Sequence, residues 1–156
     1  MRRRARWGWV LATMWITASI ATAAYALAAP ARTSARAEPS VLGPGDATVT
    51  LVVNHSHFHP ARVVVRQHTS VTFRIVNHDP IGHEFIVGPP EVHALHESGT
   101  HGEHGAVHGE VSVAPGATAT TTYEFHAPGP VLFACHLPGH FAYGMVGEVV
   151  VEPAAG

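Results

Sequence analysis

Cys135, His140 and Met145 stand at equal five-residue steps in "CHLPGHFAYGM", and Cys135 is the only cysteine of the chain. A thiolate, an imidazole and a thioether converging in one loop make a mixed sulfur and nitrogen donor set. Pro138, Gly139 and Gly144 supply the bends such a loop needs. A set of this kind suits copper, and two imidazoles with one thiolate in a trigonal plane, plus a weak axial methionine, form the blue-copper arrangement. The arrangement needs a second histidine from elsewhere. His83 in "NHDPIGHEFIV" opens a strand after a turn, whereas its competitor His78 lies inside the turn "NHDP". Taken alone, a buried cysteine is a small core hydrophobe and a methionine at a strand start is core filler. The four residues together at this spacing read as a metal site.

The elements that must position these donors read as strands. "ATVTLVV", "ARVVVRQ", "SVTFRIVN", "HEFIVG", "GEVSVAPG", "TATTTYEFH", "VLFACH" and "MVGEVVVE" are short runs rich in Val, Thr, Phe and Ile. Several alternate, with Val49, Leu51 and Val53 opposing Thr48, Thr50 and Val52. Gly, Pro, Asn and Asp punctuate them. Seven to eight strands in one all-β domain describe a two-sheet sandwich or barrel. The loop carrying Cys135, His140 and Met145 then joins two strands at one end of it. No helical period stands out within the domain. The segment Gly88 to Glu110 is polar and glycine-rich and reads as a long insertion between strands, of the kind that is usually functional or disordered.

The chain of 156 residues holds 14 histidines and nine Lys plus Arg residues, all of them arginine. Six of the arginines lie in the first 36 residues. From Asp46 onward three arginines face ten acidic residues, a formal −7 with neutral histidines. So acidic a domain lacks the basic footprint of a nucleic-acid binder. "MRRRAR" followed by 25 uncharged residues, Trp7 to Ala31, reads as a secretory signal or an uncleaved membrane anchor. In either case the arginines stay inside and the rest is exported. The expected organisation is a signal or anchor over 1–29, a flexible Pro-, Ala-, Gly- and Ser-rich linker over 30–45, and a domain over 46–152 with its insertion at 88–110. Membrane contact is expected only through residues 7–29, if uncleaved, in a periplasmic or otherwise extracytoplasmic setting.

From Phe58 to Val151 the chain resembles the cupredoxins, the plastocyanin and azurin type of blue copper protein. "FHPARVVVRQHTSVTFRIVNHDPIGHEFIV" carries the likeness of the first half, and "CHLPGHFAYGM" that of the ligand loop. Within the family it is most similar to exported bacterial copper-binding and copper-resistance cupredoxins. The resemblance implies a Greek-key β-sandwich and one type 1 copper held by His83, Cys135, His140 and Met145. It also implies electron transfer to a redox protein partner, with His140 as the exposed ligand and Leu137, Pro138, Phe141 and Tyr143 around it. Two departures stand out. His68 occupies a turn where the family often has glycine. The multicopper oxidases of this loop spacing flank the thiolate with two histidines, whereas here Ala134 precedes Cys135 and only His136 follows. One imidazole of an enzymatic bridge is therefore missing, and the chain is not expected to be an enzyme. As the neighbour of Cys135, His136 should point to the opposite face, at the surface or behind the ligands.

The remaining histidines carry a second reading. His93, His96, His101, His104 and His108 fill the insertion, and His55, His57 and His59 alternate in "HSHFHP". Imidazole-rich tracts bind Cu(II), Zn(II) or Ni(II). The alternative function is thus copper buffering or resistance outside the cytoplasm, with further Cu(II) on the insertion.

Overall fold

The computed structural model describes residues 40–99 and 107–155. The signal or anchor, most of the linker, His101 and His104 lie outside the described residues. No helix among the described residues is long and apolar enough to cross a membrane.

Among the described residues nine strands and one helix follow in chain order: β1 (Gly45–Asn54), β2 (His57–His59), β3 (Arg62–Arg66), β4 (Thr69–Asn77), β5 (His83–Gly88), α1 (Pro90–Glu97), β6 (Glu110–Val113), β7 (Thr118–Phe125), β8 (Gly129–Ala134) and β9 (Val146–Glu152). They form two sheets, of order β2-β1-β4-β7 and β3-β9-β8-β5-β6. Eight of the strands are those read from the sequence. The ninth, β2, is the short return strand through Phe58, paired antiparallel to β1. β1 runs parallel to β4 and β3 parallel to β9, and the other pairings are antiparallel.

Period-two alternation places the core. In β1, Val49, Leu51 and Val53 are buried, and in β4 so are Val71, Phe73 and Ile75. They meet Val65, Phe85, Phe133, Val149 and Val151 of the other sheet. Phe58, Phe85 and Phe133 pack edge-on or tilted, with centroids 5.4 to 5.8 Å apart. Each such ring contributes about 1.5–3 kcal/mol by leaving water. The turn before β4 is made despite its histidine, since His68 takes a left-handed φ of 67°.

The insertion is not the continuous loop its composition suggests. Pro89 and Pro90 open α1, Glu91 lies in its first turn, and the chain leaves it through Gly99 at a φ of 72°. Its buried residues are His93 and His96. Imidazoles, not aliphatic side chains, occupy the face turned to the protein, so no apolar period marks the helix. α1 packs on β5, every residue of which is buried.

Candidate metal centre

The ligand loop spans the gap between β8 and β9. Cys135 follows the last residue of β8 and Met145 precedes the first of β9, so the ladder itself brings the two ends together. The Cys135 amide donates to the Met145 carbonyl at 3.1 Å, and the Met145 amide to the His140 carbonyl at 3.0 Å. Gly139 and Gly144 adopt φ of 85° and 90°, which lets the loop fold back on itself twice. Cys135 and Met145 are fully buried in the core cluster, while His140 is half-buried.

His83 arrives from the neighbouring strand. Its ring lies 5.0 Å from that of His140, and the Cys135 Sγ is 3.2 Å from His140 Nδ1. Donor atoms of His83, Cys135 and His140 all lie within 4.8 Å of one another. Among the described residues this is the one place where three such donors converge. His78 takes no part in it. It is exposed, and its amide donates to the Val53 carbonyl.

The orientation of His83 is set from behind. Its Nε2 lies 2.9 Å from Asp79 Oδ2; a carboxylate only accepts, so Nε2 carries the proton and donates it. That leaves Nδ1 as a lone pair, buried and without any partner in the protein. A buried unsatisfied nitrogen is costly unless something fills it, and metal-binding histidines characteristically donate their other ring N–H to a carboxylate. Asp79 in turn accepts from the amides of His55 and Ser56 at 2.7 and 2.8 Å. Burial pushes its carboxyl up, but those two amides and His83 together bring it below the usual carboxylate range. Asn77 pins the same turn, accepting from the Asp79 amide and donating to the Ile81 and Ala114 carbonyls. Asp79 escaped the sequence reading, although an acid four residues before a ligand histidine was its available signal.

Burial dominates the electrostatics of the donors. Burial pushes the Cys135 thiol up to about 11, with the Glu84 and Leu137 amides acting in the opposite direction. The Glu84 amide lies 3.3 Å from Sγ, placed to donate to a thiolate. Burial also lowers the His83 pKa, more than Asp79 restores it, so its imidazole is kept neutral and available. One thiol and two imidazoles brought together in this way fit copper, and the orphaned Nδ1 of His83 fits an ion rather than a hydrogen bond.

His136 points away from Cys135, as alternation predicts, but it is not at the surface. Its side chain is 1% exposed because α1 and the stacked ring of Phe141 cover it. Its ring lies 5.2 Å from that of His93 and 6.0 Å from that of His96. His96 contacts Glu110, and His108 is exposed and stacks on Tyr123. In "HSHFHP" only His57 and His59 lie on a strand; His55 sits in the turn before it with a φ of 52°, and among the described residues the three do not converge.

A cupredoxin-like domain profile matches residues 10–151. The chain belongs to the cupredoxin-like family. Its relatives include the copper-resistant cuproprotein CopI of Rubrivivax gelatinosus, 38% identical over 118 residues, covering 70% of this chain and 72% of that protein. The CopI of Pseudomonas aeruginosa is 27% identical over 83% of this chain and 90% of its own length. Among solved structures, the reduced auracyanin of Roseiflexus castenholzii superposes with a TM-score of 0.57 at 20% identity, over 71% of this chain and 98% of that one. Auracyanin A of Chloroflexus aurantiacus gives 0.56 at 22% identity, over 69% and 100%. At such identities the structural likeness concerns the fold.

Proposed function

We propose that the chain is an exported cupredoxin that holds one copper on His83, Cys135, His140 and Met145 and passes electrons through it. The observation that carries this reading is the buried, unpartnered Nδ1 of His83, oriented by Asp79 toward Cys135 and His140. Copper held there would supply one-electron redox chemistry. The protein's own part is positional. The closed loop and the strand ends keep the donors in place in either valence state, and the burial of Cys135, His83 and Met145 keeps water out. His140 is the donor nearest the surface, and Phe141 and Tyr143 beside it are 37% and 84% exposed. That rim supports docking of a redox partner. Export is supported by the basic and apolar pattern of the first 31 residues.

A second reading is copper resistance by capture of the metal, favoured by the names of the CopI relatives and by the five insertion histidines. The two readings separate in a copper-sensitive host. If electron transfer underlies protection, Cys135→Ser abolishes it, and the copper protein gives a reversible one-electron wave on an electrode. Glutamine at His93, His96, His101, His104 and His108 together then leaves protection intact. The reverse pattern, protection kept by the serine variant and lost with the five histidines, establishes capture and removes the electron-transfer reading.

A further inference from the structure

Behind the cysteine lies a second imidazole pair whose protonation pattern is unusual. His93 of α1 places Nε2 3.2 Å from the Leu132 carbonyl, which can only accept, so the proton sits on Nε2. His136 places Nδ1 2.8 Å from Glu97 Oε2, also an acceptor, so its proton sits on Nδ1. The two remaining nitrogens, His93 Nδ1 and His136 Nε2, face each other at 2.9 Å. In neutral rings so oriented, both are lone pairs, and two lone pairs at hydrogen-bond distance repel. Anchoring the helix accounts for the bonds to Leu132 and Glu97. It does not account for the inner nitrogens being turned toward each other.

We propose that His93 and His136 chelate a second divalent transition-metal ion, Cu(II) or Zn(II), at a site separate from the His83, Cys135 and His140 centre. Each ring donates its outer N–H to a carbonyl or a carboxylate, the pattern that fixes ligand tautomers in metal sites. Imidazoles suit Cu(II) and Zn(II). Burial lowers the His93 pKa, more than the Leu132 and Gly88 carbonyls raise it, so that ring is kept neutral, as a metal ligand must be. His96 stacks on His136 with its own Nε2 committed to Glu110 at 3.1 Å. A groove of about 650 Å³ lined by Gly88, Pro90, Tyr123 and Leu132 reaches His93. Cys135 and His136 are consecutive, so the ion would be linked covalently to the first centre through one peptide unit.

The test titrates the full chain, already carrying one equivalent of copper, with Cu(II) and separately with Zn(II). Electron paramagnetic resonance should show added Cu(II) with nitrogen coupling and no new intense visible band. His93→Gln and His136→Gln should each weaken this second ion about tenfold or more. The double variant should lose little beyond the weaker single, because one ion needs both rings. The visible band of the first copper reports that each variant is folded and that the first centre is intact. If His136→Gln disturbs that band, His93→Gln, which lies on the helix, decides alone. Absence of a second ion in the unaltered chain overturns the proposal. So does second-ion binding of unchanged strength in His93→Gln, which would assign the ion to other histidines.

Discussion

Cys135 and His136 are neighbours in the chain and stand in two different kinds of surroundings. On the cysteine side the donors come from strand ends and a loop closed by its own backbone bonds, and His83 is braced by an acid that two amides hold in place. On the histidine side the partners come from an eight-residue helix, whose His93 meets the His136 ring and whose Glu97, with a side chain 57% exposed, braces His136. The first region is fixed by the core and contains sulfur; the second is fixed by an insertion and contains only imidazole. On the proposed reading, redox behaviour belongs to the first and additional metal capacity to the second.

Substitutions can break this contrast. The largest effect short of removing the thiolate should come from His83→Ala. It takes away the only donor from outside the loop and leaves the Asp79 carboxylate without its partner. Copper affinity at the first centre should fall by about a hundredfold or more, and the visible spectrum should be degraded. His78→Ala should change neither, and equal damage from both would place the early ligand wrongly.

Asp79→Asn should come next. The amide can still meet His83, but it can present its NH₂ instead of an acceptor and so move the ring proton to Nδ1. A loss of about ten- to a hundredfold in copper affinity is expected, measured by competition with a chelator. Full affinity in that variant would mean that the fold holds His83 without the acid. Glu97→Gln is the matching change in the second region. Its brace is exposed and worth less, so second-ion affinity should drop by about tenfold at most, with the first centre unaffected.

The loop was legible in the sequence because Cys135 and His140, whose donor atoms the structure brings together with that of His83, are local. They lie between two strands that pair with each other, so spacing and bend residues were enough. His83 was legible because it opens a strand whose far end pairs beside β8. Asp79 was not, since its role depends on how Asn77 and the amides of a separate turn fold the segment "NHDPIG". Helix α1 was hidden for a different reason. Amphipathic helices are recognised by apolar residues, and this one turns His93 and His96 inward. Without that helix, alternation gave the direction of His136 correctly but not its burial.

Met145→Leu should have the smallest effect on binding. A long axial thioether adds little affinity and chiefly sets potential. The variant should stay blue, bind copper within about a few-fold of the original, and show a raised reduction potential on an electrode. Loss of copper would make the methionine a principal ligand.

Everything proposed for the first centre depends on Cys135 binding copper as a thiolate together with His83 and His140. The most direct test is the visible absorption of the full chain as the first equivalent of copper is added, with Cys135→Ser beside it. An intense thiolate band should develop and saturate at a single copper in the unaltered chain. No such band should appear in the serine variant, whose far-ultraviolet circular dichroism should still report the β-sandwich. A serine variant that keeps the band, or an unaltered chain that takes up copper without developing it, would contradict the assignment.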